Sequence, residues 1–79
     1  MYKIYILRLS NGSYYVGSTG NLESRLKAHL SKKVFSTKNK LPLMLLYTEE
    51  FATRSEALKR EYQIKSWKKR AAIERLLNK

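Results

Sequence analysis

Cysteine is absent from this 79-residue chain. That excludes disulfide staples, zinc–thiolate centres and thiol nucleophiles, and it fits a reducing compartment. Aspartate is absent too. All six acidic residues are glutamates: Glu23, Glu49, Glu50, Glu56, Glu61 and Glu74. A Ser-His-Asp triad therefore has no aspartate to draw on, and two-metal centres built on clustered carboxylates are hard to assemble. His29 is the only histidine, and glycine is scarce, with three residues. No glycine-rich phosphate loop of the P-loop or Rossmann kind is present. The longest apolar run, Leu41 to Tyr47, is far shorter than a membrane span. The start, Met1-Tyr2-Lys3-Ile4-Tyr5, lacks the basic stretch and apolar core of a signal peptide. These absences predict a soluble, cytoplasmic protein with no membrane partner. The length fits one domain over residues 1–79. A domain of this size is marginally stable, and any site must lie on one small sheet or its edges.

Positive charge is what the chain has in excess. Seventeen Lys and Arg against six Glu give +11. A polyanionic partner relieves the self-repulsion of such a surface, and phosphate binding through counterion release is its ordinary use. Nucleic acid is the favoured partner over a merely solvated basic surface, a ribosomal role or a membrane-surface role. Any catalysis must work with one carboxylate, one imidazole, basic side chains and tyrosines.

Tyr2 to Leu9 is apolar, aromatic or β-branched at nearly every position and reads as a strand. Ser10-Asn11-Gly12-Ser13 carries the Asn-Gly hairpin signal, and Tyr14 to Gly17 is the return strand. Asn21 is a good N-cap for a helix over Leu22 to Leu30, with Leu22, Leu26 and Leu30 as its apolar stripe. Lys32 to Lys40 reads as a basic loop. Leu43 to Tyr47 follows Pro42 as a third strand. Thr53-Arg54-Ser55-Glu56 is a capping box opening a helix to about Ser66, and Trp67 to Leu77 reads as a shorter last helix. The expected fold class is α/β of the α+β kind, a small three-stranded antiparallel sheet flanked by helices in the order β-β-α-β-α-α.

Three features carry the candidate chemistry. On the Thr53–Ser66 helix, at about 100° per residue, Glu61 falls in the arc of Ala57, Leu58, Tyr62 and Ile64, with Lys65 beside it. A carboxylate there must be paired, hydrogen-bonded or metal-bound. A salt bridge to Arg25 or Lys65 competes evenly with a metal or catalytic role. Arg25 and His29 are four residues apart and neighbour each other at the edge of the leucine stripe. This sets a phosphate-binding guanidinium beside a group that can hold a proton, although a lone histidine in such a setting is more often structural. Tyr5 and Tyr15 lie in adjacent strands. A two-residue Asn11-Gly12 loop puts them on opposite faces; a three-residue Ser10-Asn11-Gly12 loop, with Gly12 left-handed in a bulge, puts them together. The sequence allows both.

Lys3-Ile4-Tyr5, Tyr15-Val16-Gly17, Arg25, His29 and Glu61, in this order and spacing, resemble the GIY-YIG nuclease family. The helix Ser55-Glu56-Ala57-Leu58-Lys59-Arg60-Glu61-Tyr62-Gln63-Ile64-Lys65 looks like that family's metal-site helix. Leu41-Pro42-Leu43 with Tyr47-Thr48-Glu49 looks like its small stand-alone bacterial members. The resemblance runs from about Tyr2 to Trp67. It implies a DNA endonuclease with a single metal ion, of the kind used in DNA repair or recombination. Tyr5 and Tyr15 would then share one face, so the three-residue turn is expected. Glu61 would bind Mg²⁺ or Mn²⁺, and Arg25 would hold the scissile phosphate. Tyr5 or Tyr15 would help deprotonate water, and His29 would orient or share that proton. Gly17 would let the backbone turn tightly beside the site, with no side chain in the way, and Gly17, Ser18, Lys33, Lys38 and Lys65 would contact substrate.

Two positions depart from the family pattern. Lys3 stands in place of the motif glycine, and Ser18 follows Gly17 where some members carry lysine. A separate DNA-binding domain has no room here. The chain's own segments Lys32-Lys33, Lys38, Lys40 and Lys68-Lys69-Arg70 would grip backbone phosphates without reading sequence, and a protein partner would supply target choice. Trp67 is expected in the core at the helix junction. The alternative reading is a non-catalytic nucleic-acid-binding module of the same fold acting with a partner.

Overall fold

Tyr2–Arg8 forms the strand β1 of a computed structural model that describes residues 1–31 and 43–78. Ile4, Tyr5, Ile6 and Leu7 are all fully buried. A strand apolar on both faces belongs at the centre of a sheet covered on both sides. β1 is central indeed, in the order β2-β1-β3, with β2 at Tyr14–Thr19 and β3 at Met44–Phe51. Both neighbours pair antiparallel. β3 extends past Tyr47 to Phe51, because Thr48, Glu49 and Glu50 alternate on an edge strand with one side open. Their cross-strand partners include Lys3, which sits opposite Glu50 with their charges 3.8 Å apart. The position of the departing Lys3 is thus a cross-strand ion pair.

The hairpin takes the three-residue form. The Leu9 N–H donates to the Ser13 carbonyl at 2.9 Å, and the Gly12 N–H donates to the Leu9 carbonyl at 2.9 Å. Gly12 has φ +83°. Asn11 Oδ1 accepts from the Ser13 N–H at 3.1 Å and holds the turn. The register follows: Tyr5 faces Gly17 and Leu7 faces Tyr15. Tyr5 and Tyr15 therefore share one face of the sheet.

That face is covered by α1, Leu22–Leu30. Tyr5, Leu7 and Leu9 pack there with Tyr15, Leu22, Leu26 and Leu43. Asn21 caps α1 through Oδ1, which accepts from the Ser24 N–H at 3.0 Å. The buried stripe differs from the expected one. His29 is fully buried, whereas Leu30 is exposed. Leu22, Leu26 and His29 stand at i, i+4 and i+7, and an ideal helix carries Leu30, at i+8, past the contact.

The opposite face carries Ile4, Ile6 and Val16. Ala57 and Ile64 of α2 (Arg54–Ser66) and Leu76 of α3 (Arg70–Leu77) cover it. Here too one expectation is corrected. Leu58 and Tyr62 do not face the core; Tyr62 is 78% exposed. The inward stripe is Ala57, Arg60, Glu61 and Ile64, at i, i+3, i+4 and i+7. Arg60 sets this rotation by donating to both Glu49 carboxylate oxygens on β3, at 2.8 and 3.1 Å. Its guanidinium also lies 5.7 Å from the centre of the Trp67 ring, which packs at the edge of this core. The last helix starts at Arg70 rather than Trp67, because Lys68 takes the left-handed conformation at φ 53° and ends α2. The expected basic loop of residues 32–40 lies outside the described residues.

Gly12 is the one glycine whose backbone an L-residue resists. Gly12→Ala is expected to cost about 1 kcal/mol, a fall of roughly 4–8 °C in melting temperature for a domain of this size. Gly12→Asn, tolerated in the left-handed region, should cost less. Thermal unfolding followed by circular dichroism checks this; an unchanged melting temperature in Gly12→Ala would refute the turn assignment.

Candidate active site

Cross-strand pairing places Gly17 opposite Tyr5, and the Tyr5 ring lies over it. A Cβ at Gly17 would stand 2.5 Å from the Tyr5 hydroxyl and 2.6 Å from Cζ. Gly17 thus leaves no side chain in the way, as expected, but without a left-handed turn: among the described glycines only Gly12 has positive φ. With no side chain at 17, the phenol can reach across β2 toward the free edge of the sheet.

Helix α1 brings the other groups to the same spot. The Tyr5 hydroxyl is 3.0 Å from His29 Nε2, and Arg25 Nε donates to the Tyr5 oxygen at 3.3 Å. Tyr15 completes the cluster. Its ring centre is 6.2 Å from that of Tyr5 and 5.0 Å, edge-on, from that of His29. Arg25 is held more firmly protonated by its bond to the Tyr5 hydroxyl, with a further contribution from the Tyr15 hydroxyl. One guanidinium thus serves two phenols.

The protons in this cluster can be assigned. Burial, and then the Arg25 charge, push the His29 pKa below its ordinary value, so the ring is neutral at pH 7. Burial pushes the Tyr5 phenol upward, against the opposing hydrogen bond from Arg25. Tyr5 therefore keeps its proton. Arg25 donates to the Tyr5 oxygen, and the same oxygen shares a hydrogen bond with His29 Nε2. No buried side-chain polar atom among the described residues lacks a partner.

Glu61 stands apart from this group. It belongs to α2, which packs on the opposite face of the sheet. It leaves the helix on the flank away from β3, since Arg60 takes the β3 flank. Its partner is Lys65, whose Nζ donates to Oε2 at 2.7 Å; it makes no ion pair with Arg25. The Glu61 charge nevertheless contributes to raising the Tyr5 pKa, so the carboxylate acts electrostatically on the phenol. The structure brings Tyr5, Tyr15, Arg25 and His29 into contact; Glu61 touches none of them, and its charge makes only the smallest of the contributions to the Tyr5 pKa. Ser18 pairs with Ile4 and shares the α2 face of β2. Lys65 lines a cleft beside Tyr15. Lys33 and Lys38 lie outside the described residues. The Glu49–Arg60 pair, which aims Glu61 by rotating α2, had no sequence signal beyond an acid on a strand and a base on a helix.

The metal question turns on donors. Among the described residues no three His, Cys, Asp or Glu come together. This disfavours a closed structural site of the zinc type. Mg²⁺ needs less: one or two carboxylates, with water and phosphate oxygens filling the remaining positions. Glu61 fits that requirement. Its side chain is 18% exposed, and its partner Lys65, 52% exposed, can swing away.

Comparison with known proteins agrees with this geometry. The family model of the GIY-YIG catalytic domain matches residues 1–75. A UPF0213 protein of Staphylococcus haemolyticus is 37% identical over 89% of this chain and 87% of its own length. A UPF0213 protein of Halobacterium salinarum is 36% identical over 82% of this chain and 86% of its own. The solution NMR structure of a UPF0213 protein from Bacillus halodurans superposes with a TM-score of 0.65 at 34% identity, covering 99% of this chain and 84% of that one. With tyrosines, arginine and histidine clustered on a sheet of this topology, the chain belongs to the GIY-YIG family, a nuclease family whose substrates are nucleic acids.

Proposed function

We propose that the protein is a metal-dependent endonuclease that hydrolyses phosphodiester bonds in DNA, serving repair or recombination, with target choice supplied by a protein partner. The observation that supports this most strongly is the single guanidinium, Arg25, bonded to a phenol that is itself bonded to a neutral imidazole. In the reaction, water attacks phosphorus and the bond to the 3′ oxygen breaks, leaving a 5′ phosphate and a 3′ hydroxyl. Arg25 uses its remaining N–H groups on the non-bridging oxygens, where charge grows in the transition state. Tyr15 is half-buried while Tyr5 is sealed from solvent, so Tyr15 is the phenol that meets the attacking water. Tyr5 and His29 hold Arg25 in place. Glu61 would hold one Mg²⁺ or Mn²⁺, which supplies charge neutralisation at the phosphate and stabilises the leaving oxygen.

The rival reading, a binding module of the same fold, draws on the Glu61–Lys65 pair, which satisfies the carboxylate without a metal. Cleavage of plasmid, single-stranded and branched DNA with and without Mg²⁺ or Mn²⁺ separates the two. Glu61→Ala and Tyr15→Phe are each expected to lower the metal-dependent rate by roughly 10²-fold or more. Salt-sensitive binding with no cleavage under either metal would establish the module.

His29 also makes a pH prediction. Its folded pKa lies below the unfolded value of about 6.5. As pH falls below about 6.5, the unfolded chain takes up a proton that the folded chain refuses. Stability from this group is therefore present above that pH and is lost on acidification. Because His29 is the only histidine, its ring NMR signals can be followed alone. They should titrate below 6.5, with cleavage falling over the same range. A value at or above 6.5 would contradict a neutral, buried ring.

A further inference from the structure

A cleft of about 430 Å³ opens where the β2 edge meets the elbow between α2 and α3. Its size lies within the roughly 300–1,000 Å³ of small-molecule sites. Its floor is apolar, formed by Val16, Ile64 and Ile73, and its rim carries Lys65, Lys68, Lys69 and Arg70. The Arg70 guanidinium, whose Nε donates to Glu74 at 3.2 Å, lies 4.9 Å from the centre of the Tyr14 ring and makes a flat wall. Lys68 and Lys69 have no acidic partner among the described residues. Lys68 is the one described non-glycine residue with positive φ. The elbow keeps a lysine in a conformation that favours glycine. Tyr15 and Lys65 also line the cleft, which lies on the face of the sheet that α2 and α3 cover.

Apolar floor, planar cation and a rim of positive charge match one chemistry: a nucleobase with phosphates on either side of it. Bases stack on aromatic and guanidinium planes, and lysines at the rim meet the backbone charge. A paired, stacked base in continuous duplex cannot enter such a cleft; the nucleotide must be unpaired or extruded. We infer that this cleft holds one unpaired nucleotide of a DNA strand that crosses the β2 edge to reach the phosphate presented to Arg25. The substrate is then DNA with a single-stranded segment next to the cut, not uninterrupted duplex. The inference rests on the proposed nuclease reading for the position of the cut, but the binding site can be tested without cleavage.

The test is fluorescence anisotropy in EDTA with three probes at matched salt: a short oligothymidylate, the same oligomer with abasic residues, and a duplex of equal length. The wild-type protein should bind the oligothymidylate most tightly, with the abasic probe weaker by roughly tenfold, the size of one lost stacking contact. Lys68→Gly removes a cation and relieves the backbone. It should weaken single-strand binding and reduce the slope of log affinity against log salt by about 0.7, with no loss of melting temperature. Equal affinity for intact and abasic strands, preference for duplex, or unchanged binding by Lys68→Gly would overturn the assignment. Base-dependent binding in a protein that never cleaves would sink the nuclease reading alone; metal-dependent cleavage without base-dependent binding would sink the cleft alone.

Discussion

A hydroxyl group that water does not reach organises this protein. The Tyr5 oxygen accepts from Arg25 and shares a hydrogen bond with His29, while the ring below it fills the space that a side chain at residue 17 would need. Each element of the first half of the chain is fixed by this contact. β1 supplies the phenol, β2 supplies the gap, and α1 supplies the base and the cation. An unpaired polar atom so deep would cost about 1–3 kcal/mol, so none of these four residues can change type without leaving another unsatisfied or overpacked.

The second half of the chain works through a different contact on the other side of the sheet. Arg60 and Glu49 share a two-pronged, half-buried ion pair, and this fixes the rotation of α2. With Arg60 turned to β3, Glu61 and Lys65 fall on the flank nearer β2. The Glu61 charge then contributes to raising the Tyr5 pKa from the other side of the sheet. On the proposed reading, two faces of one small sheet serve one edge. This suits a domain too small to enclose a deep pocket.

Much of this was legible in the sequence, for reasons that can be named. β1 was plain because a central strand is apolar throughout. The hairpin form was not decidable from Ser10-Asn11-Gly12 alone, since two loops fit; the family resemblance selected the one that unites Tyr5 and Tyr15. The clearance expected at Gly17 is there, but the ring that needs it, Tyr5, is remote in sequence and left no local signal. Leu30, Leu58 and Tyr62 were assigned inward by hydrophobicity, and the structure turns them out. In α1 and α2 a polar residue took the inward position instead, His29 and Arg60, because its partner lies on the sheet face that the helix covers. Periodicity finds the stripe; it does not say which member of the stripe has a hydrogen-bonding partner waiting.

The central claim is that Glu61, on one face, and the phenols, on the other, act at a single place on the sheet edge. Titration with Mn²⁺, read as paramagnetic broadening of assigned NMR signals, tests it directly. The account predicts that the Tyr15 ring and the backbone around Glu61 broaden together at the same low Mn²⁺ concentration, and that Glu61→Gln abolishes both. Broadening confined to the α2 side, with Tyr15 untouched, would separate the carboxylate from the phenols and contradict the account.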